Sequence, residues 1–433
     1  MAIVLCLFPA LVLAQSGVVS PSDSLHWLEV TGVVPDGPAA QAGIRIADVL
    51  VSYDGKAMTS RADLSAAQAA VQVDSLVATF QRGNKELSVV LPKGKLGIYF
   101  AEWQNDLPLA PDARLIPGVP NLSWAQPNSF MGALELVCHR LNDHIGYAFM
   151  CGVSGAAFRT QFFDTWSPSS VDATVGFDAG TEALSARGLD VRWLMVSSDG
   201  KNKPQILDSI KKSIDGAMPV LAIDLIEMPE WGIIIGYQNN GEDLLCRTYF
   251  DKRKGFEVAQ KFPFLVGILR REGMVPDADS SVRLSFGLIV QNLTTDKYGE
   301  YYSGLAAFDK WILRLKTDDL SKLDSAKLAN VVLANYVILN RLVADRKTGL
   351  EYIDHIGTGR EDLKPPMANL TAFYQQEIDL LGPLVDKVPS PGSVREAADW
   401  PQGLKDAEVA ALEKARALEA QALPTWQQLA RTK

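Results

Sequence analysis

Apolar residues follow two rhythms along the chain, and the change between them divides it. Up to about Leu91 short apolar runs alternate with turn residues. Trp27 to Val34 reads as a strand, and Val49 to Tyr53 as a second one closed by the tight-turn pair Asp54-Gly55. Met58-Thr59-Ser60 opens a short strand, and Ser60 is placed to cap an alanine-rich helix from Ala62 to Val71. Ser75 to Gln81 and Leu87 to Leu91 form a hairpin through Arg82-Gly83-Asn84-Lys85. Leu107 to Asn121, with Pro108, Pro111, Pro117 and Pro120, reads as a linker. Met131, Leu134, Val137, Cys138 and Leu141 then share one face of a helix over Phe130 to Leu141. Val191 to Val196 and Pro219 to Leu225 read as buried strands, the latter after a helix from about Lys203 to Ile214. Trp231 to Tyr237 and Asp243 to Tyr249 pair through Asn239-Asn240-Gly241. From about Ser285 the period is helical throughout. Leu305, Phe308, Ile312 and Leu315 make one stripe, Leu328, Val331, Val332, Leu339 and Leu342 a second, and Leu370, Phe373, Ile378 and Leu381 a third. Pro365-Pro366 and Pro389-Ser390-Pro391-Gly392 separate these helices, and Pro424 is expected to break or kink the last stretch, Leu404 to Leu429.

A chain of 433 residues is long enough for about three domains. With 47% hydrophobic and 21% charged residues it can bury sizeable cores. A net charge of −9 argues against nucleic acid as a partner, because such binding needs a basic face. Residues 2 to 14 are uncharged and apolar and end in Val12-Leu13-Ala14 before Gln15-Ser16-Gly17, which reads as a signal peptide over residues 1–15. The usual basic residues before such a segment are absent, which leaves a start further upstream open. The expectation is an exported protein, periplasmic or extracellular, with no stable membrane insertion after cleavage and no later run long enough for a membrane helix. Cys6 leaves with the signal peptide, and Cys138, Cys151 and Cys246 are an odd number that does not make a disulfide framework. No Cys-x-x-Cys or His-Glu-x-x-His is present, and His139 and His144 are spaced off one helix face, so no metal site and no cofactor are read.

The stretch from Pro35 to Gly55 carries the first resemblance. Pro38 can open a helical turn, Gly43 can close it in the left-handed conformation, and Asp48-Val49-Leu50-Val51 begins the strand that turns at Asp54-Gly55. This order resembles the centre of a bacterial PDZ domain, placed at residues 25–105. The resemblance implies a loop whose backbone N–H groups catch a peptide's terminal carboxylate, followed by a strand that pairs with the peptide. No such loop precedes Trp27, whereas Gly94-Lys95-Leu96-Gly97-Ile98-Tyr99-Phe100 follows the last hairpin. The expectation is a permuted PDZ domain whose groove is made by Lys95, Leu96, Gly97, Ile98, Tyr99 and Phe100. The first turn of the helix from Ala62 would line the pocket, and Gly97 would let the backbone approach the ligand. The implied partners are peptide or protein C-termini.

A second resemblance covers Ser129 to Arg159, Ser213 to Leu221 and Trp231 to Asp251. These pieces look like the N-terminal domain of butirosin-type acyltransferases, which belong with papain-like cysteine peptidases. In that family a Cys at the start of the first helix attacks and a His on the strand before Gly-Tyr is the base. Here the helix begins Pro127-Asn128-Ser129-Phe130 and the strand begins Glu230-Trp231, so both chemical positions depart from the pattern. Ser129, Cys151 and Glu230 remain as catalytic candidates, and Arg159, Trp231, Arg247 and Asp251 as residues of a presumed ligand cleft.

The resulting expectation is a multidomain α+β protein: a β-sandwich-like PDZ domain, a linker at 106–123, a papain-like α+β domain at 124–280 and a C-terminal helical bundle at 285–433. The leading function is peptide binding beside a non-catalytic peptidase-like domain. The alternative is an active cysteine-peptidase-type hydrolase or acyltransferase with a non-standard nucleophile, its substrate presented by the PDZ domain. A third is a secreted scaffold that uses all three domains for protein contacts.

Overall fold

The computed structural model describes residues 26–34, 37–45, 48–82, 85–94, 96–104, 107, 109–116, 119–141, 143, 145–253 and 255–431. The signal-peptide expectation for residues 1–15, the Gly83-Asn84 turn, Lys95 and His144 lie outside them. Contacts divide the chain into two compact units. One takes in the residues up to Asn121, Leu136–His144 and Trp193–Ile268; the other takes in Leu122–Glu135, Ile145–Arg192 and Leu269 onward. This division does not follow the boundaries 124–280 and 285–433 expected from the sequence.

The first unit begins with β1 (His26–Val33), α1 (Pro38–Gln41), β2 (Val49–Tyr53), β3 (Lys56–Ala57), α2 (Arg61–Ala70), β4 (Ser75–Arg82), β5 (Lys85–Pro92) and β6 (Ile98–Gln104). All pairs in this sheet are antiparallel, in the order β5-β4-β2-β1-β6, with β3 on β2. Local chemistry accounts for the corners. Gly43 ends α1 at φ 78°, and Asp54 and Gly55 turn the chain at φ 52° and 74°. Ser60 caps α2 by accepting from Asp63 N at 3.1 Å, while the Asp63 carboxylate accepts from Thr59 Oγ1 at 2.7 Å. Alternation along β4 buries Leu76, Ala78 and Phe80 against Leu28, Val30, Leu50 and Leu64. Asp48 is fully buried, and Arg82 meets it through Nε and Nη2 at 2.7 Å each while also reaching the Gly43 carbonyl. A buried carboxylate needs such a partner, and this one ties the α1 turn to the end of β4.

Onward from this sheet run β7 (Arg114–Leu115), α3 (Ser129–Arg140), α4 (Tyr147–Val153), β8 (Gln161–Phe163), α5 (Ala179–Ser185), β9 (Leu189–Met195), α6 (Lys203–Asp215), β10 (Val220–Ile223), β11 (Trp231–Gln238), β12 (Asp243–Arg247), β13 (Glu257–Val258) and β14 (Leu265–Arg271). A second sheet has the order β13-β12-β11-β10-β14-β9, with β7 paired to β11. The stretch expected as a linker therefore supplies a strand, and Ala113, Leu115, Ile116, Val119 and Leu122 are buried. All eight residues of β11 are buried. Gly232 and Gly236 permit its close pairing, since a Cβ there would stand 2.6 Å from the Arg247 carbonyl and 2.4 Å from that of Arg114. β9, expected as a buried strand, is a half-exposed edge.

The second unit is dominated by helices: α7 (Ala278–Thr294), the short strands β15 (Lys297–Tyr298) and β16 (Tyr301–Ser303), then α8 (Gly304–Thr317), α9 (Ser325–Gly357), α10 (Lys364–Val385) and α11 (Gln402–Arg431). β16 lies between β15 and β8. Trp311, Leu339, Leu342, Leu381, Trp400 and Leu412 share one core. Pro365 and Pro366 sit in the first turn of α10, where a missing N–H is harmless. Pro424 does not end α11, because Trp426 and Leu429 beyond it are buried and the Trp426 indole donates to the Tyr374 hydroxyl at 2.8 Å. α9 is longer than its apolar stripe announces. With a mean hydropathy of 1.2 it is the one helix among the described residues long and apolar enough to cross a membrane, and 56% of that window is buried inside the protein.

Charge within this core is concentrated on α9. Arg346, with no exposed side-chain surface, donates through Nε to Glu419 at 2.8 Å and Glu377 at 3.3 Å, through Nη1 to the Ala157 carbonyl at 2.9 Å and through Nη2 to Thr160 at 2.8 Å. Burial holds Glu377 well above the usual carboxylate range despite Arg346. Nearer the start of α9, Trp311 donates to Asn335 at 2.7 Å and Asn335 to the buried Glu408 at 2.8 Å. The α4 helix lies close against α9 because residue 152 is glycine; a Cβ there would fall 2.1 Å from the Tyr352 ring.

Candidate functional site

β6 pairs with β1 on one side and, among the described residues, has no strand on the other, and its outer edge faces α2 across a cleft of about 730 Å³. Leu64, Gln68 and Ala69 of α2 form one wall, Leu96 to Phe100 the other, and Tyr53 the floor. The Gly97 carbonyl is turned inward to Val34 N at 2.8 Å, and Leu96 is bonded to Ala39 N at 3.2 Å. On the outer edge the Phe100 carbonyl accepts from the Arg61 guanidinium. Strand alternation gives Ile98 the same edge as Phe100. This places two sets of backbone groups, two residues apart, where an added strand would pair.

Leu96, Gly97, Ile98, Tyr99 and Phe100 all line this cleft, while Lys95 lies outside the described residues. Ala62 does not line it and is exposed. The helix starts one residue earlier than the sequence suggests, at Arg61, and its phase carries Arg61, Leu64 and Gln68 round to the groove. Spacings of three and four residues from Arg61 were the available signal for these missed positions. Gly97 is demanded by its own conformation, φ 71°, and by Val34, whose Cβ would lie 3.1 Å from an added Cβ. That reason is separate from ligand approach.

Ser129 belongs to the second unit and Glu230 to the first. Ser129 is buried at the start of α3, where Asn128 caps the helix by accepting from Met131 N. Cys151 is buried in α4, and burial pushes its thiol well above the ordinary value, with Asp345 adding to the effect. A protonated, enclosed thiol is a poor nucleophile. Cys138 and Cys246 are buried as well. By peptide mapping, thiol reagents are therefore expected to label Cys138, Cys151 and Cys246 far more slowly in the native chain than in the denatured chain. Labelling of any of these three in the folded protein at the rate of a free cysteine would overturn this.

The residues assigned to a ligand cleft are interior. Arg159, in the second unit, donates to the carbonyls of Asp172 at 2.6 Å, Phe177 at 3.0 Å, Ser170 at 3.2 Å and Val175 at 3.4 Å, fixing the loop before α5. Burial lowers its pKa to about 10. Trp231 and Arg247 belong to the first unit and are enclosed because β11 and β12 are interior strands of their sheet. Arg247 lies 3.1 Å from Asp251, whose side chain is 1% exposed and whose pKa burial raises to about 6 even beside Arg247. Arg159 lines only a small cavity of about 20 Å³ with Thr160, Gln161, Arg341 and Asp345, and Trp231 and Arg247 are buried within their sheet.

No curated protein matches the chain. Residues 29–78, which run from β1 through α2 into β4, match the PDZ domain family. The chain carries a PDZ domain, a module that binds peptides and proteins.

Proposed function

We propose that the chain binds the C-terminal segment of a peptide or partner protein in the groove between β6 and α2. The observation that carries this reading is an unpaired strand edge beside an apolar cleft, within a domain that matches the PDZ family. The ligand adds to β6 as an antiparallel strand and ends at the Gly94–Gly97 loop, where backbone N–H groups receive its carboxylate. Its last side chain, apolar by complementarity, enters beside Leu64 and Leu96. In this reading the domain is a permuted, bacterial-type PDZ domain with its groove strand last in sequence, and the chain is exported. The remainder of the chain is non-catalytic, a view supported by the burial of Cys151, Arg159 and Arg247.

The test is titration of the full chain with heptapeptides ending in Val, each with a free or an amidated C-terminus. The free acids are expected to bind about tenfold tighter or better, since a charge-assisted bond is lost on amidation. Equal affinity of the two forms would remove carboxylate capture.

A further inference from the structure

Where α8 ends and α9 begins, the helical unit holds a second cleft, of about 620 Å³. Small-molecule sites span about 300 to 1,000 Å³, so its size is that of a binding pocket. Trp166, Leu323, Ala326 and Val331 give it an apolar lining, and Arg314, in the last turn of α8, lines it with them. Trp166 is fixed there against its own preference. Its φ of 60° is left-handed and rare for a bulky residue, and two bonds hold it: the indole donates to Asp318 at 2.7 Å and the carbonyl accepts from Asn330 at 2.9 Å. The charges around the cleft are unevenly matched. Asp319 accepts from Ser321 and lies 2.9 Å from Lys322, while Asp324 accepts from Lys327 N and lies 2.9 Å from its ammonium. Asp164 is taken by Lys310 at 2.5 Å. Arg314 is served less well. Its side chain is 30% exposed, its Nε lies 3.2 Å from Asp318 Oδ2 without the alignment of a hydrogen bond, and among the described residues neither Nη is hydrogen-bonded. The Trp400 indole N–H, in a residue 1% exposed, also has no acceptor, and Trp400 borders a narrow extension together with Trp166, Arg314 and Asp318. Donors this enclosed are rarely left unpaired.

We propose that this cleft binds a small organic acid, with the carboxylate on Arg314 and the apolar body against Trp166, Leu323 and Val331. Asp318 holds the guanidinium from its Nε side, which leaves the two Nη groups as a fork that matches the two oxygens of a carboxylate. The lining beyond Arg314 is largely hydrocarbon, so the ligand carries an apolar chain or ring behind its acid group. The lysines at the rim, Lys322 and Lys327, each keep an acid of their own and add little selection. This site belongs to the helical unit and does not depend on what the β6–α2 groove binds.

Calorimetric titration of the full chain with octanoate, octanamide and octanol tests this. Octanoate is expected to bind wild type about tenfold tighter or better than either neutral analogue. In Arg314→Met that margin disappears, and Arg314→Lys, which keeps the charge but not the fork, retains only part of it. The comparison of the three compounds on wild type stands even if a variant fails to fold. An excess of a heptapeptide ending in Val is expected to leave octanoate binding unchanged. Absence of octanoate binding, equal binding of acid and amide by wild type, or an undiminished preference in folded Arg314→Met would each overturn the assignment. Displacement of octanoate by the peptide would overturn it too, and would place the acid in the β6–α2 groove instead.

Discussion

Replacing Arg346 with methionine lowers the stability of the helical unit by about 3 to 5 kcal/mol, read as a fall in the urea midpoint. The magnitude follows from what the substitution leaves behind. Glu377 and Glu419 are both fully buried, and Arg346 is the cation they share. The Ala157 carbonyl and Thr160 lose their donor in the same step. A well-packed methionine replaces the stem of the arginine but none of its donors, so the cost comes from uncompensated polar groups more than from volume. A second variant separates these contributions. Adding Glu377→Gln and Glu419→Gln to Arg346→Met removes both stranded carboxyl groups and is expected to recover part of the loss. An unchanged midpoint for the single variant would show that the cluster does not hold the helices together.

Glu408 predicts a dependence on pH of opposite origin. Burial raises its pKa from 4.5 to about 8, against the hydrogen bond from Asn335, so the folded chain keeps this proton where the unfolded chain has lost it. Between about pH 4.5 and pH 8 the unfolded state binds fewer protons at this position, and stability therefore falls as pH rises. The loss is on the order of 4 kcal/mol at one pKa unit per 1.4 kcal/mol. Glu408→Gln keeps an acceptor for Asn335 and cannot ionise. Thermal melts are expected to show the variant close to wild type near pH 4.5 and well above it at pH 8.5. Glu377 and Asp345, both raised by burial, act in the same direction but are common to both proteins. Parallel pH profiles would contradict the assignment.

What could be read in the sequence was local. The Gly43 and Asp54-Gly55 turns, the Ser60 cap and the strand pair around Asn239-Asn240-Gly241 each depend on a few neighbouring residues, and the structure builds all of them. What was hidden depends on partners far along the chain. Arg114–Leu115 looks like part of a proline-rich connector until β11 is there to receive it. Arg346 interrupts the apolar stripe of α9, and only Glu377 and Glu419 explain why the helix runs through it. The groove strand was legible from Gly94 to Phe100 because its glycines and alternation are contiguous. The facing wall was misplaced because Ala62 lies about 100° round the helix from Arg61 and faces solvent, while Leu64 and Gln68 carry the groove face.

The 73 residues between Arg346 and Glu419, and the 189 between Ala157 and Arg346, also bear on how the molecule is made. During synthesis Arg346 is added with the Ala157 carbonyl already present and neither acid yet translated. Glu377 follows, and Glu419 only after most of α11. Burying the guanidinium before then would strand a cation, so Arg346 is expected to stay hydrated until its acids arrive. The final helix is consequently the piece whose arrival permits the unit to close, and a chain halted before Glu419 exposes the apolar side of α9 to whatever else is nearby.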